Sequence, residues 1–150
     1  MASIEKEIRQ KKFSSSKEKA IVNVLYTAAW LNGQHADIMK SFGLSTQQFN
    51  VLRILRGQKG KPATIKSITE RMIDKMSNAS RIVDKLLAKG YVTRIPCKAD
   101  KRRVDILITK EGLNLLSIVS DAVDLFTVEQ DKLSEEESEQ LSSLLDKLRN

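Results

Sequence analysis

A run of polar side chains between residues 76 and 89 has the spacing to form hydrogen bonds to another molecule. When the segment is placed on a helix at about 100° per residue, its apolar residues gather on one side and its polar residues lie opposite or at the flanks. The polar set is Ser77, Asn78, Ser80, Arg81 and Lys85. Arginine can bind guanine and asparagine can bind adenine through paired hydrogen bonds, while serine and lysine can hold phosphates. The set predicts contacts with a DNA major groove; the alternative is an ordinary amphipathic helix with a solvated face.

A basic loop follows this helix along the chain. Its cations are Lys98, Lys101, Arg102 and Arg103. Like charges crowded on a short loop repel one another, so their clustering favours a phosphate backbone as the partner. An arginine at the tip of such a loop can also enter a narrow minor groove. Asp100 lies among these cations, and we expect it to orient an arginine side chain.

Hydrophobic periodicity and capping signals place these residues on elements. Residues 1–13 are charged and aperiodic, which predicts a loosely held arm. Capping-box spacing occurs at Ser45/Gln48 and again at Ser134/Glu137. The predicted elements are helices over about 16–42, 45–58, 64–73, 76–89, 110–126 and 134–148, and strands over 91–95 and 104–108. The fourth helix begins near Met76 in this prediction, with Met76 on its apolar side.

Two short helices joined by a tight turn and followed by a basic hairpin have the order of a winged helix-turn-helix. The predicted fold class is therefore mainly α, with a two-stranded β-hairpin as the wing and long helices at the two ends of the chain. A length of 150 residues suits one domain. We place the DNA-binding lobe at about residues 45–110.

Charge is distributed unevenly along the chain. Residues 58–110 carry fourteen Lys and Arg against five Asp and Glu, whereas residues 111–150 carry three against ten. A basic middle next to an acidic tail suggests one face for a polyanion and a tail engaged elsewhere, although charges can also merely solvate a surface.

Composition argues against other classes of protein. No run of about 18 apolar residues is present, so no membrane span is expected, and the charged start resembles no signal peptide.

Cys97 is the only cysteine, which fits a reducing cytoplasm. Its basic neighbours could make it a redox sensor, although an isolated cysteine is more often structural. One histidine, one cysteine and no phosphate loop or hydrolase motif predict no enzyme, no cofactor and no metal site.

Two segments carry a family resemblance. Residues 81–94, RIVDKLLAKGYVTR, resemble the recognition helix and first wing strand of the MarR family, and residues 100–112, DKRRVDILITKEG, resemble its wing signature. Residues 44–52 are similar to the family's entry to the second helix, and the resemblance spans about residues 16–148. Met76 departs from the pattern, since the family often has a small residue or proline there. The resemblance therefore does not decide where the recognition helix begins, or which of Ser77 and Asn78 enters the groove.

The resemblance implies a homodimer assembled from helices at about 16–42 and 111–149, acting on a palindromic operator as a ligand- or stress-responsive repressor. It also implies a crevice for a small-molecule effector between the dimer helices and the DNA-binding lobe. The candidate crevice residues are Tyr26, Trp30, His35 and Met39. For His35 the alternative is a packed, hydrogen-bonded histidine, and for the aromatic residues it is the core.

Two other functions remain open from the residues alone. The same winged helix could bind protein or RNA as an interaction module, or it could be an architectural DNA binder without sequence preference. The affinity for random against operator DNA, and its salt dependence, separates the second alternative from a repressor.

Overall fold

The computed structural model describes residues 3–96, 104–130 and 132–150, apart from the side chains of residues 129 and 130. Seven helices and three strands follow one another within those ranges. They are α1 (Ile4–Glu7), α2 (Ser16–Ser41), α3 (Thr46–Gly57), β1 (Ala63–Thr64), α4 (Ile65–Arg71), α5 (Ala79–Ala88), β2 (Val92–Pro96), β3 (Val104–Ile108), α6 (Lys110–Gln130) and α7 (Glu135–Arg149). The mainly α winged-helix architecture is confirmed.

Side-chain caps define where most of these helices begin. Both predicted capping boxes are present, at Ser45 with Gln48 and at Ser134 with Glu137, and each satisfies two backbone N–H groups that the first helical turn would leave unpaired. Thr64 caps α4 by accepting a hydrogen bond from the Ser67 N–H at 3.0 Å.

The start of α5 differs from the prediction. The helix begins at Ala79, with Asn78 as its N-cap, and not near Met76. The cause lies in Asp74, whose carboxylate accepts the Met76 N–H at 3.0 Å and the Ser77 hydroxyl at 2.8 Å. These bonds fix a turn that holds Met76 in solvent, so its predicted place on the apolar side is wrong.

The wing contains one strand more than predicted. β2 and β3 form the expected antiparallel hairpin, with Pro96 paired to Val104 at its outer end. β1 then pairs antiparallel with the other edge of β3, which gives the order β1-β3-β2. Two residues are too short to show a strand periodicity, and their pairing partner lies some forty residues away, so local sequence carried no signal for β1.

The core lies between α3, α5, α6 and the sheet. Its fully buried side chains include Leu52, Ile68, Val83, Leu86 and Leu116. The long helix α2 adds only Met39 to the buried set. Among the described residues, no helix is long and apolar enough to cross a membrane.

The N-terminal segment is more ordered than the predicted loose arm. Ile4 is buried, at 5% exposure. The Lys19 ammonium lies 2.6 Å from a Glu5 carboxylate oxygen, and the Tyr26 hydroxyl donates to Glu7 at 2.8 Å. One apolar anchor and two polar contacts therefore fix α1 to the first half of α2.

Candidate nucleic-acid interface

A polar depression of about 460 Å³ lies over the N-terminal part of α5. Ala79, Val83 and Leu86 bury the opposite side of the helix and fix its orientation. Of the predicted DNA contacts, the depression gathers Ser77, Asn78, Arg81 and Lys85. Ser80 lies exposed on the same helix without lining the depression.

The side chains in this depression are not equally available to a ligand. Asn78 uses its amide oxygen to cap α5, accepting the Arg81 N–H at 3.1 Å, and the Ser77 hydroxyl donates to Asp74. The side chains of Arg81 and Lys85 are exposed, and neither binds another side chain of the described residues. The two cations thus carry most of the free hydrogen-bonding capacity of this surface.

One ion pair joins α5 to the wing. Asp84, on the flank of α5, binds the guanidinium of Arg94 in the middle of β2. Sequence reasoning assigned no partner to Asp84 or Arg94 and missed the pair. A signal was present, since a carboxylate on the helix and a cation on the following strand are complementary, but only the tertiary fold brings them together.

The predicted wing contacts Lys98, Lys101, Arg102 and Arg103 lie outside the described residues, as do Asp100 and Cys97. The described strand ends on either side of them, Pro96 and Val104, are paired in register. Nearby on the sheet, Arg94 is about half exposed even though it binds Asp84.

A second depression, of about 590 Å³, lies between α2 and the helix-turn-helix. His35 and Met39 line it, as predicted for a crevice, whereas Trp30 and Tyr26 do not. Trp30 packs near Phe126 instead, with ring centroids 6.3 Å apart. Tyr26 binds Glu7, and this hydrogen bond raises the pKa of the Tyr26 hydroxyl above its ordinary value.

Sequence reasoning missed several polar residues of this second depression, among them Asn50 and Arg53. The Arg53 guanidinium carbon lies 5.8 Å from the centre of the Phe49 ring, a cation–π arrangement. The Asn50 side-chain oxygen accepts the Ile73 N–H at 3.0 Å. The (i, i+4) spacing of Phe49 and Arg53 on α3 was a usable signal.

Apolar side chains are exposed along three helices of the single chain. On α2 the exposed side chains include Ile21, Leu25 and Trp30; on α6 they are Leu113, Ile118, Leu125 and Val128; on α7 they are Leu141, Leu144 and Leu148. Within the described structure, α7 buries none of its side chains. An apolar stripe of this extent is expected to be covered by another surface.

Comparison with known proteins gives a consistent result. Residues 44–104 match the MarR family. The chain is 31% identical over 112 residues to the HTH-type transcriptional regulator PecS of Dickeya dadantii (strain 3937), a match that covers 72% of this chain. It covers 66% of PecS, just under two thirds of that relative's length.

Solved structures share the fold at lower identity. The organohalide-sensing RdhR-CbdbA1625 transcriptional regulator, in its 2,4-dichlorophenol-bound form, has a TM-score of 0.79 at 20% identity, covering 94% of this chain and 86% of that one. The S. aureus MepR–DNA complex has a TM-score of 0.75 at 20% identity, covering 89% of this chain and 96% of that one.

Proposed function

This chain belongs to the MarR family, and from that premise we propose that it is a sequence-specific DNA-binding transcriptional regulator. The observation that carries the proposal is the surface of α5, where Arg81 and Lys85 line a depression, bind no other described side chain and lie opposite a buried apolar side. A helix of ten residues with one apolar and one polar side can enter a major groove. Its apolar side packs against the protein, and its polar side contacts base edges. The fourteen cations of residues 58–110 supply the attraction for phosphates.

The regulator acts as a homodimer bound to a palindromic operator. Support comes from α7, a helix of 15 residues with a leucine stripe and no buried side chain in the single chain. A symmetric pair of chains would cover this stripe together with the exposed apolar residues of α2 and α6. Two recognition helices then address two half-sites, which predicts the two-fold symmetry of the operator.

A small molecule regulates this binding through the second depression. Apolar groups from Met39, Phe49 and Val123 line it beside the polar groups of His35 and Arg53, which suits a small aromatic molecule with an anionic or hydrogen-bonding substituent. The depression reaches from α2 to Asp74, the residue that sets the turn before α5. Occupancy there favours an α5 position that fits DNA poorly, so the molecule relieves repression.

Selection of DNA from a random library, with footprinting of the promoter upstream of the protein's own gene, tests the DNA-binding role. We expect a palindromic sequence to emerge and to bind at least about 10³-fold more tightly than random duplex at physiological salt. Equal affinity for both, with the same salt slope, would identify an architectural binder and contradict the proposal. Binding to RNA or protein alone would contradict it as well.

Thermal unfolding with a panel of small aromatic acids and phenols tests the effector role. A binder should raise the unfolding temperature, lower the affinity for the selected duplex, and lose both effects in Arg53→Ala. Lys66→Ala is the matched control, because it removes an exposed cation from α4 that does not line the second depression. This variant should respond to the compound like the wild type. If no compound in the panel lowers the affinity of the protein for the selected duplex in a manner that depends on Arg53, the assignment of this depression as an effector site is wrong.

A further inference from the structure

We call the depression over α5 that Asn78, Arg81 and Lys85 line the recognition surface. One apolar side chain of this surface has no packing partner among the described residues. Met76 is 93% exposed, the highest value among the large apolar side chains that the structure describes. It lines the same depression as Asn78, Arg81 and Lys85. An apolar group surrounded by hydrogen-bonding groups of a DNA-facing surface points to an apolar feature on the DNA.

Hydrogen bonds hold Met76 in this exposed position. Its N–H donates to the Asp74 carboxylate at 3.0 Å, and the Ser77 N–H donates to the Asp74 carbonyl at 3.2 Å. The N–H of Ile73, just before Asp74, donates to Asn50 on α3. The backbone of the turn is thus tied both to itself and to the core helices. Met76 therefore projects from a fixed point two residues before the N-cap of α5.

The major groove offers one apolar group on its base edges, the 5-methyl of thymine. A methionine side chain is long, flexible and polarizable, so it can adapt to a methyl group whose exact position depends on the duplex. Burial of the thioether and the methyl against each other removes apolar surface from water, which favours the contact. Cytosine carries only a hydrogen at its C5 position, and adenine and guanine have no methyl group at the same edge, so the contact discriminates among bases.

We infer that Met76 contacts a thymine 5-methyl group in the major groove and thereby specifies a T·A pair next to the bases that Arg81 reads. The inference rests on the proposed DNA-binding function and adds a base-reading residue that makes no hydrogen bond through its side chain. It predicts that the selected operator contains a thymine whose methyl group contributes to the binding affinity only when residue 76 keeps a large apolar side chain.

The test replaces each thymine of the selected duplex in turn by deoxyuridine, which removes only the methyl group. Wild-type protein should lose about fourfold in affinity at one position per half-site, the value expected for one methyl group removed from an apolar contact. Met76→Ala should bind the unmodified duplex more weakly and show no further loss at that position. Met76→Leu, which keeps an apolar side chain of similar size, should retain the dependence.

Ile73→Ala, measured without any effector, is the matched control, because Ile73 belongs to the same turn, is 80% exposed and lines the second depression, not the one over α5. Its deoxyuridine profile should equal that of the wild type. A wild-type protein that prefers the selected duplex, with an identical profile in Met76→Ala, overturns the thymine contact and leaves the DNA-binding function standing. The same result with weakened subunit association in sedimentation would place Met76 in a protein contact instead. A wild-type protein without preference for any duplex overturns both.

Discussion

At the scale of single residues, the recognition surface divides its side chains between building the helix and meeting a ligand. Asn78 caps α5 with its amide oxygen as the acceptor, which leaves its amide NH2 group to donate to another molecule. Arg81 contributes its backbone N–H to that cap, and its guanidinium binds no other side chain of the described residues. The cap therefore places Arg81 in the first turn of the helix, and the proposed DNA contact assigns its guanidinium to a base edge.

Arg81→Ala should weaken operator binding by about 1–3 kcal/mol and relax discrimination at one or two base pairs, as expected for loss of a bidentate arginine–guanine contact. Competition titrations with single-base variants of the selected duplex measure this. Lys66→Ala provides the control for loss of one exposed cation outside the depression. Equal losses on operator and random DNA would show that Arg81 contacts phosphate only.

The ion pair of α1 gives a prediction about pH. The hydrogen bond from Lys19 lowers the pKa of Glu5 from 4.5 to about 2. A lowered pKa means that the charged form stabilises the docked arm, so this contribution is complete above about pH 4.5 and is lost as the pH falls toward 2.

Lys19→Ala should move the Glu5 titration up toward 4.5, as followed by the side-chain carboxyl resonance in NMR. Lys17→Ala removes a nearby exposed cation and should leave the Glu5 titration in place. If Glu5 titrates near 4.5 in the unaltered protein, the arm is not held by this pair in solution.

At the scale of elements, one junction joins the wing to α6. The Thr109 hydroxyl donates to the Gly90 carbonyl at 2.8 Å and accepts the Gly112 N–H at 3.1 Å. The Thr109 N–H donates to the Tyr91 carbonyl at 3.0 Å. The end of α5, the start of β2 and the start of α6 therefore meet at one threonine, which gives Thr109 and Gly112 of the segment 100–112 a structural role.

Gly112→Ala should destabilise the protein by about 1–3 kcal/mol, because an added Cβ would lie 2.2 Å from the Tyr91 carbonyl oxygen, a backbone atom that cannot rotate away. Chemical denaturation followed by circular dichroism measures the change in the free energy of unfolding. Gly57→Ala, at the end of α3 with open space around its Cβ, should change that free energy by less than about 1 kcal/mol. Equal effects of the two substitutions would rule out the close approach as the cause.

At the scale of the whole molecule, the division of burial among helices predicts association. α3 and α5 are amphipathic helices whose apolar sides are covered within the chain, whereas α7 leaves Leu141, Leu144 and Leu148 between 46% and 58% exposed. The acidic first turn of α7 and its basic last turn complement the helix dipole, so the helix is well formed at its ends yet unsupported along its length.

Leu144→Glu should convert the proposed dimer to monomer at micromolar concentration, because a carboxylate placed in an apolar interface would lose its hydration without a partner. Sedimentation velocity measures the oligomeric state. Ile73→Glu, at a more exposed apolar position outside the end helices, should remain a dimer. A wild-type monomer at micromolar concentration would refute the proposed assembly altogether.

The sequence by itself determined the elements whose signals are local. Both capping boxes, the hairpin strands and the winged helix-turn-helix order follow from spacing within about ten residues, because caps and amphipathic periods depend only on near neighbours. The side of α5 that carries Arg81 and Lys85 was predictable for the same reason, since burial of its apolar residues fixes which side is free.

Only the tertiary structure decided the features that depend on residues distant in the chain. The pairing of β1 with β3 and the fixing of α1 to α2 join segments whose separation no local pattern encodes, and the Asp84–Arg94 ion pair forms only because α5 packs beside β2. The start of α5 is the instructive case, because helical periodicity extends through Met76, yet the Asp74 turn and the Asn78 cap compete with that first turn and prevail. Side-chain acceptors that satisfy backbone N–H groups outweigh a single apolar contact, and so the methionine that periodicity assigned to the apolar side of the helix lies in solvent.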